Sequence, residues 1–292
     1  MKVFSGIVSV IGTAALVLVL FAAGYFACAT PLTTHIFSQN TSNYESSPYA
    51  LDDLNALAMA SRDFTVDARE PGTTTEDARL AFNQTLMNAA THSATRYLNV
   101  SRDDSNELNQ QKKETWTALL STLGDSRPND AFGKEDVNAV AAKMAAESDR
   151  FALDEDAFKH LDDCNSLINT IVPIVGFAGI VAIACFLILL VLRQWRWLSR
   201  MLFIAPLILI VAFAWMGTWA ILDFGSFFTA FHGVFFPQGN WVFSSESLLI
   251  CMYPTAFWMG MGALWLATTL LASIIVLLFG RSFAGMADRK GQ

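Results

Sequence analysis

Marked by hydrophobic and polar positions alone, the chain holds four runs nearly free of charge, within residues 1–29, 168–192, 201–222 and 257–280. As a helix rising about 1.5 Å per residue, each is long enough to cross a hydrocarbon layer of about 30 Å. A signal peptide is the competing reading of the first run. Its apolar part exceeds the roughly 7–15 residues of such a segment and no small-residue cleavage site follows, so a retained anchor is expected.

The polar stretch 30–167 separates the first run from the others. Three parts of it, 51–64, 74–98 and 136–153, repeat apolar residues at three- and four-residue spacing, which predicts helices. Pro, Gly and capping residues in 70–77 and 124–133 punctuate them. Residues 36–48 and 100–114 are polar and weakly patterned, and partial disorder is expected there. From Asp154 onward no break signal intervenes before the second run, so a helix is predicted to continue from a charged head into the membrane. Asp154 is its expected N-cap, Glu155 and Asp156 lie in its first turn, and Pro173 sits just inside the membrane. Between the third and fourth runs, residues 223–256 read as an aromatic loop with a sharp turn at 235–241, expected to pack against the cap or line a cavity between the spans because bare backbone is not tolerated in lipid.

Composition strengthens this reading. Apolar residues make up 53% of the 292 and charged residues only 15%, too little charge for an ordinary soluble domain of this size. Charge also sorts the two sides. Segment 30–167 carries 23 acidic and 12 basic residues, whereas Lys2, Arg193, Arg196, Arg200, Arg281, Arg289 and Lys290 fall at the other ends of the runs. The positive-inside rule then puts both termini in the cytoplasm. The expected fold is an all-α membrane protein: transmembrane helices at 1–29, 168–192, 201–222 and 257–280, an extracytoplasmic helical cap at 30–167, a cytoplasmic loop at 193–200, the outer aromatic loop at 223–256 and a cytoplasmic tail at 281–292. The spans hold no buried charge and show no inverted repeat, which argues against transport.

Few residues offer chemistry. The four cysteines allow a pairing of Cys164 with Cys251 if their backbones approach, and free thiols otherwise. The histidines lack paired ligand spacing, so no metal site is expected. His35 and His92 sit in polar surroundings and read as solvated, and the sequons at Asn40, Asn83 and Asn99 read as chance. Two histidines stand apart. His160 shares a helix face with Asp156 and Asp163, at i, i+4 and i+7, an arrangement that suits either a general acid–base or an ordinary surface ion pair. His232 is the lone imidazole of the aromatic loop, and an ionisable residue near membrane depth is a functional candidate, against the plainer reading of a histidine bonded to a backbone carbonyl. Trp241, Tyr253, Phe257 and Trp258 suit an interfacial aromatic belt.

The stretches "DEDAFKHLDD", "FHGVFFPQGNW" and "LICMYPTAFW" together resemble the four-span bacterial membrane protein family that includes the lipoprotein intramolecular transacylases. The first carries Glu155, His160, Leu161 and Asp163, the second Phe231, His232, Phe235, Phe236, Gly239, Asn240 and Trp241, and the third Leu249, Ile250, Tyr253, Pro254, Phe257 and Trp258. The resemblance covers the spans, the helix head and the aromatic loop. It leaves out about 67–150, read as an insertion; Ser244 stands where the family often has Asp, with Glu246 nearby as a substitute.

This resemblance implies an acyltransferase that moves the sn-2 acyl chain of a diacylglyceryl-modified cysteine to the α-amine of the same cysteine. It implies a lipid bilayer and such lipoproteins as partners, and neither nucleic acid, cofactor nor metal. His160 and His232 are the expected acid–base pair, meeting at the outer membrane surface, with Asp163 or Glu155 orienting an imidazole. Asn240 and Trp241 are expected donors to the oxyanion, Glu246 and Tyr253 supporting residues, and Phe231, Phe235, Phe236 and Trp258 walls for acyl chains. Two other readings compete: Cys164 or Cys251 as an acyl-accepting thiol, and a non-catalytic membrane protein whose outer cap binds a partner.

Overall fold

The computed structural model describes residues 2–101, 103–124 and 136–289, and among them every regular element is helical. The expected punctuation at 124–133 lies outside the described residues except for Gly124, as does the end of the predicted tail. The helices are α1 (Lys2–Cys28), α2 (Pro31–Thr41), α3 (Leu51–Val66), α4 (Thr75–Leu98), α5 (Glu107–Leu123), α6 (Val137–Glu147), α7 (Glu155–Val191), α8 (Trp195–Leu222), α9 (Phe224–Phe235), α10 (Leu248–Met252) and α11 (Thr255–Arg289). Four of them, α1, α7, α8 and α11, are long and apolar enough to cross a membrane. The chain divides into two compact units. One comprises Met1–Thr30, Ile168–Phe235 and Met261–Gln292, the other Pro31–Leu167 and Phe236–Gly260.

In the first unit the spans turn their large apolar side chains outward: Phe177, Ile180, Val211, Trp215, Leu271 and Phe279 are all exposed. Small polar groups stitch the inside, where an unsatisfied donor in a hydrocarbon setting would be costly. The Ser9 hydroxyl donates to the Trp197 carbonyl at 2.9 Å, the Trp265 indole to Phe21 at 2.9 Å and Ser199 to Gly280 at 3.0 Å. Val8, Cys185, Leu189, Leu198, Met201 and Leu202 form the core among them. Pro173 and Pro206 sit within α7 and α8 without ending them, as neighbouring groups in a bundle allow. The predicted loop 193–200 shrinks to a turn. Arg193 adopts a left-handed φ of 53° and donates to Leu190, Gln194 donates to Leu189, and α8 begins at Trp195.

In the second unit α3, α4, α5 and α6 gather around Leu54, Leu57, Phe82, Leu86, Trp116 and Met144, all nearly inaccessible. The three helices expected there are present, although the third ends at Glu147, where Ser148 turns extended, rather than continuing to 153, and α4 starts with a Thr74–Asp77 capping box. The expected disorder does not hold over 36–48, where α2 takes in 31–41, or over 107–114, where α5 begins at Glu107 behind an Asn106 cap. The physical reason lies in side chains that satisfy backbone carbonyls of the intervening loop. Lys112 donates to the Tyr44 and Tyr49 carbonyls at 2.6 and 2.7 Å, Trp116 to Pro48 at 2.9 Å and Arg150 to Ser46 at 2.8 Å. Ser47, Pro48, Tyr49 and Ala50 are buried, and the Pro48 and Tyr49 acceptors are occupied. His92 and His35 are exposed, as expected, and each still meets a polar partner: the His92 Nδ1 lies 2.8 Å from the buried carboxylate of Asp53, and His35 meets Asn55 at 2.9 Å.

Lys112 is buried against two tyrosine rings, each 5.2 Å away, and burial pulls its pKa down from the ordinary 10.5 to about 8. The fold therefore disfavours the charged amine. Stability is lower where Lys112 is protonated in both states and rises as the pH climbs from about 8 to 10.5. The unfolding midpoint of the detergent-solubilised protein should increase over that window and Lys112→Met should flatten the increase; an equal rise in the variant would assign it to other groups.

Candidate active site

The head of α7 is set by its cap. The Ala157 amide donates to the Asp154 carboxylate at 2.8 Å, as expected for an N-cap, and Ala157, Phe158 and Leu161 are buried. Arg79 pairs with Glu155 at 2.8 Å and lies 4.4 Å over the Phe158 ring, while Arg69 pairs with Asp162 at 2.6 Å. These contacts from α4 and its approach fix the rotation of α7. His160 consequently faces inward, 9% exposed, whereas Asp156 faces solvent. The shared carboxylate–histidine face expected from spacing does not include Asp156.

Around His160 the surroundings are aromatic. Phe236 stands edge-on at 4.9 Å and Phe243 lies at 5.9 Å. Its Nε2 is 3.7 Å from the Cys164 thiol, one helical turn on. Asp163 points to the turn that carries those phenylalanines: one carboxylate oxygen accepts from Gln238 at 2.8 Å and from Asn240 at 3.0 Å. Gly239, at φ 80°, supplies the left-handed residue of that turn. Asp163 therefore positions Asn240, whose own carbonyl oxygen is buried with no hydrogen-bond partner among the described residues. Gln238 and Phe243 do not stand out in the sequence, where one is an unremarkable polar residue and the other one more aromatic in an aromatic run.

The remaining predicted residues of this unit take varied places. Glu155 is engaged by Arg79, and Glu246 lies 3.5 Å from Arg150. The Tyr253 hydroxyl donates to the Ala58 carbonyl at 2.5 Å, so it ties the segment before α11 to α3. Trp258 is partly exposed and stands edge-on to Phe257, and Trp241 is half-buried. Cys164 and Cys251 are free thiols. Burial, the larger influence, pushes Cys251 up to about 11 even with Arg150 nearby, far from the thiolate a nucleophile needs.

His232 belongs to the other unit, on α9. The loop expected over 223–256 is helical in its first part: Phe224, Phe228, Phe231 and Phe235 recur at helical spacing, and the Asp223 carboxylate caps the segment by accepting the Ser226 amide at 3.0 Å. His232 is 9% exposed, with its ring 3.9 Å from that of Phe228 and edge-on to Phe231. Its Nδ1 is 2.9 Å from the Phe228 carbonyl. A carbonyl only accepts, so Nδ1 carries the proton and Nε2 is the basic nitrogen of the neutral ring. Burial pulls the His232 pKa below 6.5, more than the carbonyl bond raises it, which favours that neutral form. Phe231 and Phe235 pack on each other at 4.8 Å and remain partly exposed.

Fold and side chains define a class: a multi-pass helical membrane protein with two histidines held in aromatic surroundings, one neutral with a fixed tautomer. The sequence profile of the family described as lipoprotein intramolecular transacylase Lit matches residues 78–258, more than half of the chain and a stretch that contains both histidines, and the chain belongs to that family. The match also takes in 78–150, most of the segment that the motif resemblance left uncovered. Among solved structures, the membrane integral lipoprotein intramolecular transacylase Lit from Bacillus cereus is similar in fold, with a TM-score of 0.57 and 12% identity over 99% of this chain and 100% of that one. No match is found among the curated proteins.

The two bonds to Asp163 are charge-assisted and together worth about 1–3 kcal/mol. Asp163→Ala should speed amide exchange in 236–243 by roughly tenfold or more and leave α4 and α5 unchanged; unaltered exchange in the turn would show that other contacts hold it.

Proposed function

We propose that the protein is a lipoprotein intramolecular transacylase that moves the sn-2 acyl chain of a diacylglyceryl-cysteine to the α-amine of that cysteine. Family membership supports the reaction class, and the His232 geometry is the observation that carries the mechanism. A neutral imidazole whose Nδ1 proton is engaged by the Phe228 carbonyl is a general base at Nε2.

In this reading His232 takes a proton from the amine as nitrogen attacks the ester carbonyl. The carbon–nitrogen bond forms, a tetrahedral oxyanion develops, and the ester carbon–oxygen bond breaks as His160, which enters the step protonated, protonates the departing sn-2 oxygen; the proton taken by His232 then replaces the one His160 gave and restores both side chains. One proton leaves the amine and one arrives on the alcohol, so no external reactant is required. Trp241 and the Asn240 amide are the proposed oxyanion donors. The buried Asn240 carbonyl, positioned through Asp163, accepts from the incoming amine. Phe231, Phe235, Phe236 and Trp258 flank the acyl chains, and holding amine and ester on one molecule supplies much of the rate. The excess of basic residues at one end of the spans supports cytoplasmic termini, with the reaction on the outer face.

The contact between Cys164 and His160 favours a second reading, a thiol that carries the acyl group between oxygen and nitrogen. Mass spectrometry of the N-terminal lipopeptide of a model lipoprotein, made in a transacylase-free bacterium expressing each form, separates the possibilities. The wild type and Cys164→Ser should give N-acyl, S-monoacylglyceryl peptide, with His232→Ala and His160→Ala reduced by roughly 10²-fold or more. Loss in Cys164→Ser alone would establish the thiol route, and unchanged diacylglyceryl peptide in every strain with the protein present in the membrane would refute transacylation. The rate should rise with pH along a limb centred below 6.5, because the base is active when unprotonated.

A further inference from the structure

At the end of the first unit that bears the start of α1, the outward face of that helix and the first turn of α8 enclose a groove of about 510 Å³. Val3, Ile7, Val10 and Ile11 line it along α1, at the spacing of one helix face, and Trp197 of α8 closes it. Apart from Lys2 the lining is apolar. From Lys2 to Ile11 the helix rises about 14 Å, close to half of a hydrocarbon layer of about 30 Å, which is the depth of one leaflet.

The wall is built rather than incidental. Ser9 donates to the Trp197 carbonyl and fixes the start of α8 against α1. Gly6 leaves room for the indole: a Cβ there would stand 3.3 Å from the Trp197 ring. The Arg200 guanidinium lies 4.9 Å from the centre of the Trp197 ring, an orientation that keeps a cation at the wall of the groove.

Charge tells what fills it. Lys2 lines the groove, Arg200 covers its indole, and Arg193, Arg196 and Arg281 belong to the same end, where Ser199 bonds to Gly280. None of the described side chains at this end is acidic. An apolar channel one leaflet deep with these cations around it is complementary to a lipid whose headgroup carries net negative charge. A zwitterionic lipid would fill the channel equally well, but its headgroup cation would offset the phosphate and leave no net counter-charge for the basic residues.

We propose that this groove is a binding site for one anionic phospholipid, its acyl chain lying along Val3, Ile7 and Val10 and its phosphate between Lys2 and Arg200. The site lies apart from both histidines in sequence and is independent of the acyl-transfer reading. Its role is to seat the α1–α8 contact in the leaflet through a lipid that the reaction does not consume.

Native mass spectrometry of the full chain in detergent, with equal amounts of phosphatidylglycerol and phosphatidylcholine of the same acyl chains, tests the proposal. The wild type should retain one phosphatidylglycerol over phosphatidylcholine by roughly twentyfold, since Lys2 and Arg200 contribute about fivefold each. Lys2→Gln with Arg200→Gln should bring the two lipids near parity, and Arg200→Lys should keep most of the preference. Gly6→Leu, which crowds the indole, should reduce retention of both. Parity in the wild type, or a preference unchanged in the Lys2→Gln, Arg200→Gln variant, would overturn the assignment; because that variant alters only surface charge, the test does not depend on how well Gly6→Leu folds.

Discussion

The continuity of α7 is the constraint on which the remaining arrangement depends. Its 37 residues run from Glu155 to Val191 with Pro173 inside, so a charged, capped head and an apolar span share one hydrogen-bonded rod. Where the rod enters lipid its backbone has no alternative partners, and the helix cannot be broken there without leaving amides unsatisfied. The head is then rotated and fixed by Arg79, Arg69 and the Asp154 cap, which is why His160 faces the aromatic turn and not water. Asp163, three residues on, reads as a hook for the turn rather than a partner for the imidazole.

The two histidines sit in different chemistry. His232 has its tautomer dictated by a backbone carbonyl and its neutral form favoured by burial among phenylalanines. His160 meets aromatic edges and a thiol. An acid–base pair working on one substrate needs such asymmetry, because one member has to start as base and the other to finish as acid. The aromatic rings around each imidazole leave it 9% exposed, and in the proposed mechanism such rings also flank the acyl chains of the substrate.

Much of this was legible in the sequence, for physical reasons that differ from element to element. The spans announce themselves because hydrocarbon tolerates so little charge, and both histidines stand out because imidazole is rare beside so much phenylalanine. Helix α9 was hidden in plain view: its phenylalanines recur at helical spacing, but the nearby Pro237 and Gly239 suggested a loop throughout. Helix α5 and the loop before α3 were hidden more deeply. Their order rests on Lys112 and Trp116 reaching carbonyls more than sixty residues away, and no local pattern encodes an acceptor supplied by distant backbone. Tyr253 shows the same limit from the other side, since nothing near it in sequence reveals that its hydroxyl is spent on Ala58. The roles of Asp163 and Gln238 required the turn to be folded onto α7 before they could be read.

The central claim, that His160 and His232 act as one acid–base unit on a single lipopeptide, is tested most directly by a double-mutant cycle on the initial rate of N-acyl lipopeptide formation. The claim predicts that His160→Ala combined with His232→Ala is slower than the worse single variant by no more than about threefold, because groups that act as a unit lose their contribution together. Losses that multiply across the two substitutions would contradict it and mean that the histidines contribute independently.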